Sequence, residues 1–265
     1  MKHQRIRSVA IAAVGLSVLA GVGLSELGQP DPAESTARFE VDHIFFFCKP
    51  FAPEMSALEA AGFRRMPHTN PHGDQGTIGR YFYMDNVYVE FLWVTDDQIA
   101  TANEKRCDTD MNARQNWRDT EGVSPIGIGI RDHEYAEDPP AKEHVYKADW
   151  MGSGEDYLGV FTPEYRLNEP WVFRMPPHWT VPAVEEMTGD GAEFLAHPNG
   201  ARVLTDVVFT VVGETRLSRG LRELSDDGKF SFISGEEPLV EMTFDDGAQG
   251  ETADFRPETP LVIHY

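Results

Sequence analysis

Two apolar runs, FEVDHIFFFC from Phe39 and VYVEFLWV from Val87, each carry one residue of metal-ligand type, His43 in the first and Glu90 in the second. Both runs are rich in aromatic and β-branched residues and short enough to be strands. An imidazole or a carboxylate in an apolar layer costs on the order of a few kcal/mol when it lacks a partner. If the strands are neighbours, His43 and Glu90 can share a cation or bond each other directly. Neutral imidazole and carboxylate suit Zn, Fe, Mn, Ni or Co, and two protein ligands leave coordination positions open. Glu90 is also the candidate catalytic carboxylate.

The elements that must position this pair follow from local patterning. PEMSALEAAGF, from Pro53, repeats apolar residues at helical spacing, starts at a proline and stops at Gly62. Residues 64–72 read as a poor strand broken by Pro67 and Pro71, and NPHGDQG as a loop. TIGRYFYMD and VYVEFLWV are strands hinged at Asp85-Asn86. The order is strand, helix, strand, strand, strand. Alternation puts His43 on one face with Val41, Phe45 and Phe47, and Glu90 on one face with Tyr88 and Leu92. One face of such a sheet carries the helix, and the other is free to form a cupped cavity.

This order resembles the vicinal oxygen chelate superfamily of glyoxalase-like proteins, which includes glyoxalase I, extradiol dioxygenases and bleomycin-resistance proteins. The resemblance rests on the D-H-I of the first strand, the loop with His72, Gly76, Thr77 and Arg80, and the E-F-L-W of the last strand, and it covers residues 39–95. It implies an α+β fold of paired βαβββ modules wrapping a cavity. It also implies a divalent metal held in each module by a first-strand residue and a last-strand Glu. His43 and Glu90 fall on those positions. Arg80 would then hold an anionic group of the substrate, while Trp93 and Trp171 line the cavity.

Residues 96–200 read as an insertion or an eroded module: a short helix from Asp96 to Arg106, the alternating strand SPIGIGIRD, then an acidic stretch. Tyr157–Trp179 is dense in aromatics and prolines, and is expected to form loops over a core or a lid. His197-Pro198-Asn199-Gly200 is a turn ahead of a new strand. Glyoxalase-like proteins often show a similar H-P-N-G-A stretch, which makes His197 a candidate substrate-binding residue. Residues 201–265 repeat the strand-helix-strand order and are expected to be a second βαβββ-like module. Its first strand has Asp206 where the first module has His43. The third metal ligand is therefore left among Asp206, Glu241 and His264; local pattern aligns Glu241 with Glu90, and strand order aligns His264 there.

Composition bounds the partners. With 44 acidic and 23 basic residues and a formal charge of −21, nucleic acid and anionic lipid are poor partners. A small molecule is the expected one, with a homodimer as the expected assembly. Cys48 and Cys107 have no metal-knuckle spacing; they are read as free thiols, with one disulfide as the alternative. Residues 1–25 join a basic start to an apolar run, the pattern of an export signal or an N-terminal membrane tether, and 26–38 form a polar linker. The functional part is then expected outside the cytoplasm, in the periplasm or anchored facing outward. No G-x-S-x-G, Walker loop or dinucleotide fingerprint is present. The expected activity is that of a metal-dependent lyase, isomerase or dioxygenase on a small oxygenated substrate; the alternative is a sequestering protein of the same fold.

Overall fold

The two apolar runs are adjacent strands of one sheet. A computed structural model describes residues 37–107, 110–135, 142–148, 156–161, 166–179, 192–213 and 216–265, together with Pro139 and Met151. The expected export segment, and the linker as far as residue 36, lie outside the described residues. The first strands and helix are β1 (Phe39–Phe47), α1 (Met55–Ala60), β2 (Asn70–His72), β3 (Thr77–Tyr83) and β4 (Tyr88–Val94). α1 buries Met55 and Leu58, and the chain turns out of it through Gly62 at φ 84°, a left-handed conformation that favours glycine. β1 runs parallel to β4, which pairs antiparallel with β3, which in turn pairs with β2.

After α2 (Asp97–Cys107) and α3 (Met111–Gln115), β5 (Ile126–Asp132) returns antiparallel to β1. Then come β6 (Glu143–Tyr146), β7 (Leu158–Phe161) and β8 (Trp171–Arg174). The whole is an eight-stranded mixed sheet in the order β2-β3-β4-β1-β5-β8-β7-β6, curled into a half-barrel. About the β1–β5 seam, β5 to β8 repeat the pairing order of β1 to β4.

Residues 96–200 therefore supply half of the main sheet, and Tyr157–Trp179, expected as loops or a lid, contains β7 and β8. The reason these strands escape a period-two reading is their burial. Both are four residues long and buried at every position, so exposed and buried residues do not alternate along them. A buried ion-pair network fixes their ends: Asp132 of β5 accepts from Arg38 and from Arg174 of β8 at 2.8 Å, and Arg174 also pairs with Glu143 of β6.

The C-terminal part holds α4 (Ala192–Leu195), β9 (Leu204–Val212), α5 (Arg219–Asp226), β10 (Ser231–Gly235), β11 (Leu239–Phe244), β12 (Thr252–Asp254) and β13 (Leu261–His264). Its five strands are ordered β10-β9-β11-β13-β12, which is not the order of the first module. The chain leaving α5 pairs parallel with β9 at once, and the short β12, polar and half exposed, adds a strand the sequence reading lacked.

One continuous core lies between the two sheets. Ile44, Phe46, Val89 and Phe91 of the large sheet pack with Leu58 of α1 and with Phe209, Leu224, Met242 and Ile263 of the C-terminal part. Each of these side chains is at most 1% exposed, and burying one stabilises the fold by roughly 1.5–3 kcal/mol. Asn86, at the β3–β4 turn, ties the sheets by bonding both backbone groups of Leu204. The outer face of the large sheet is thereby covered, and its inner face is the one left to form a site. Cys48 is a free, buried thiol at the end of β1, pushed up in pKa by that burial.

Candidate functional site

The inner face encloses a cavity of about 370 Å³. From β1 it receives His43 and Phe45, from β3 Tyr81 and Tyr83, and from β4 Tyr88, Glu90 and Leu92. The other half of the sheet contributes Leu158, Trp171 and Phe173, and the segment after β8 adds Met175 and Trp179 at the rim. This volume falls in the range of small-ligand sites, and an apolar wall with a few convergent polar groups is their usual make-up.

His43 reaches the cavity through a β-bulge. Between Val41 and His43 the pairing with β5 shifts, so Val41 turns to the core between the sheets, away from the face it was expected to share with His43. Asp42, 1% exposed, swings beside the next residue, and its Oδ1 lies 2.8 Å from His43 Nδ1. The Nδ1–H donates to that carboxylate, which leaves Nε2 with the ring's lone pair. The imidazole stacks on Tyr88, with centroids 4.4 Å apart and planes at 9°, and touches Phe45 and Phe173.

Glu90 sits across from Tyr81 and diagonally from His43 on the neighbouring strand. Its carboxyl is buried, and Oε1 has no hydrogen-bond partner among the described residues. Burial pushes its pKa up to about 7, and nearby His43 and the Tyr81 hydroxyl hold it from rising further. The same burial, with Glu90 beside them, raises the pKa of Tyr81 and Tyr83 and keeps them protonated. His72 is also on the wall: Asn70 donates to its Nε2 at 3.3 Å, and its Nδ1–H donates to Thr77 at 3.2 Å. Burial, and after it the neighbouring His43, lowers its pKa to about 4, so it is neutral.

Three glycines make room for these groups. A Cβ at Gly129 would overlap the His43 ring, one at Gly127 the Phe45 ring, and one at Gly79 the Glu90 carboxylate and the Tyr81 hydroxyl. Glycine inside a strand marks such close approach. The glycines of β5 carried this signal in the sequence, within the stretch SPIGIGIRD that reads as an alternating strand. The tyrosines of β3 and β4 were readable too, since they alternate on the Glu90 side.

The structure brings His43, Glu90 and Trp171 together and sends the other candidates elsewhere. Arg80 and Trp93 lie on the outer face, where the guanidinium sits 5.6 Å over the indole and Trp93 joins the inter-sheet core. Strand alternation separates them from Glu90 and Leu92. His197 is a structural pin: its Nδ1 accepts from the Arg64 N–H at 2.8 Å, and its Nε2–H donates to the Tyr83 carbonyl at 2.9 Å. That bonding needs a neutral ring, and burial lowers its pKa accordingly. His264 is in the C-terminal sheet, half exposed, bonded to Thr252 and 3.9 Å from Glu241; Asp206 is exposed on β9. None of the three lines the cavity, because the C-terminal sheet packs behind the large one.

The donor set does not fit a metal. The residue paired with His43 on β5 is Gly129, and the one paired with Gly129 on β8 is Phe173. The second half of the sheet thus offers no ligand where the first offers His43. Among the described residues no three His, Cys, Asp or Glu side chains converge as a metal site. A carboxylate-backed histidine serves metal ligation and proton transfer alike.

No family model matches the sequence, and no curated protein matches it. Among solved structures, the chain is similar to one described as the crystal structure of a hypothetical protein from Staphylococcus aureus. The TM-score is 0.52 at 11% identity, over 85% of this chain and 98% of the other. That likeness is one of fold.

Proposed function

We propose that this chain binds one small, flat, largely apolar molecule in the cupped face of a pair of βαβββ-type modules. The observation that carries this reading is the aromatic-walled cavity with a buried carboxyl on its wall whose Oε1 has no hydrogen-bond partner among the described residues. A wall of tyrosine, tryptophan and phenylalanine rings favours a planar ligand by stacking and edge contacts, each worth about 0.5–1.5 kcal/mol beyond area burial. Glu90 and the Trp171 indole N–H, which also lacks a partner, then meet the ligand's polar end. The paired-module reading is supported by the repeated strand order about β1 and β5. The second repeat carries no helix between its first two strands among the described residues. Metal-dependent chemistry is not part of the proposal, because among the described residues no three His, Cys, Asp or Glu side chains converge as a metal site.

Saturation-transfer NMR with 2-naphthol tests this reading. Transfer to the naphthol ring protons is expected with the native chain. It should be lost in a folded Leu92→Trp variant, whose larger side chain fills the cavity. No transfer to naphthol, or equal transfer with the variant, contradicts the proposal.

A further inference from the structure

Resting on that reading, we infer that the cavity is a metal-free proton-transfer site. In it, His43, oriented by Asp42, takes a proton from the carbon beside a carbonyl, while Glu90 gives one to the carbonyl oxygen. The substrate class is a small ketone or aldehyde on an apolar ring-sized body.

Several independent features aim at this chemistry. The bulge in β1 brings two consecutive residues, Asp42 and His43, into one hydrogen-bonded pair, which a regular strand would send to opposite faces. Both side chains are at most 4% exposed. Gly129 lets the imidazole lie flat on the strand, and Tyr88, Phe45 and Phe173 hold it there. With Nδ1 committed to Asp42, the basic nitrogen is Nε2.

Glu90 is the complementary group. Glu90 pairs with Phe45 while His43 pairs with Tyr88, so Glu90 is the diagonal neighbour of His43, a spacing of roughly 7–8 Å between backbone positions. A carbonyl and its adjacent carbon fit between two side chains so placed. Its Oε1 meets no other described group and is open to a carbonyl oxygen, and burial pushes its pKa up to about 7, so that the carboxyl can carry the proton it gives. The other titratable groups at the cavity are Asp42, His68, His72, Tyr81, Tyr83 and Tyr88. Burial keeps His72 and the tyrosines uncharged.

The step balances without a cofactor. The substrate C–H bond breaks as an N–H bond forms at His43 Nε2, and the C–H electron pair becomes the C=C bond of an enol. The carbonyl π pair takes the Glu90 proton and becomes O–H. His43 is then an imidazolium against Asp42, and Glu90 a carboxylate. Returning the nitrogen-bound proton to carbon, at the same or the far end of an extended enol, and the enol proton to Glu90 restores both groups. No oxidant or second substrate is consumed.

The test uses 2-tetralone in D₂O near neutral pH, following loss of its C1 protons by NMR, with saturation transfer reporting binding separately. The native chain is expected to speed exchange above buffer. His43→Gln and Glu90→Gln should each slow it about 100-fold while still binding tetralone, as removal of a general acid or base does. Glu90→Gln is isosteric and keeps the test open if His43→Gln fails to fold. Asp42 acts through His43 as a positioning residue, so Asp42→Asn should lower the rate and also shift its pH profile, which a purely structural role would not do. Tetralone bound but exchanging no faster than in buffer overturns this inference alone, as does full exchange in His43→Gln. Tetralone that fails to bind overturns it together with the binding proposal.

Discussion

Replacing Glu90 with Gln is expected to stabilise the fold at pH 8 and to change little at pH 4. The carboxyl is buried and Oε1 has no partner, and its pKa is raised from 4.5 to about 7. A group whose pKa is raised in the folded state binds protons more tightly there than in the unfolded chain. Its favourable contribution is therefore complete below pH 4.5 and is lost as pH rises to about 7. The loss amounts to on the order of 3 kcal/mol. An amide of the same shape carries no charge to desolvate, so the variant escapes this loss. His72 works in the opposite direction: its pKa is lowered, so its contribution is present above about 6.5 and is lost as pH falls towards 4. That term is common to both proteins and cancels in their difference. Urea midpoints across this pH range measure the effect; a variant no more stable than the parent at pH 8 contradicts the assignment of Glu90 as a strained, buried acid.

A single methyl group at position 129 should be among the most damaging changes in the chain. Gly129→Ala places a Cβ inside the volume of the His43 ring, with the inter-sheet core on the other side of the strand. The ring must leave, and the Asp42 bond goes with it. Overpacking of this kind costs about 1–3 kcal/mol, and stranding the buried Asp42 carboxylate adds a similar amount. If the ring is the reason for the glycine, the cost shrinks in a His43→Ala background. A double-mutant cycle then shows coupling of about 1 kcal/mol or more between the two positions. Additive effects would mean that Gly129 serves some other purpose.

Residues that announce themselves by chemistry were legible, and those placed by a backbone irregularity were not. His43 and Glu90 stand out as single polar residues in apolar strands, and the structure makes those strands neighbours. The Asp42–His43 pair needs a bulge, which shifts one residue's register and leaves no mark in a period-two pattern. Trp93 was misread although alternation already opposed it to Glu90; the motif resemblance carried it to the wrong face. The second half of the cup was hidden because β7 and β8 are short and buried on both faces. The C-terminal strands, with clear alternation and a helix between the first two, look like a second module and so like the source of a third ligand. Their apolar side chains serve the core behind it.

The central claim is that this cavity binds a small apolar molecule with its own side chains and without a metal. Isothermal titration calorimetry with 2-naphthol, run on protein dialysed against EDTA and again after adding Zn, Fe, Mn, Ni or Co, tests it most directly. Binding with one site and a negative heat-capacity change, alike in every preparation, is the expected result. Binding that appears only after a metal is restored would contradict it.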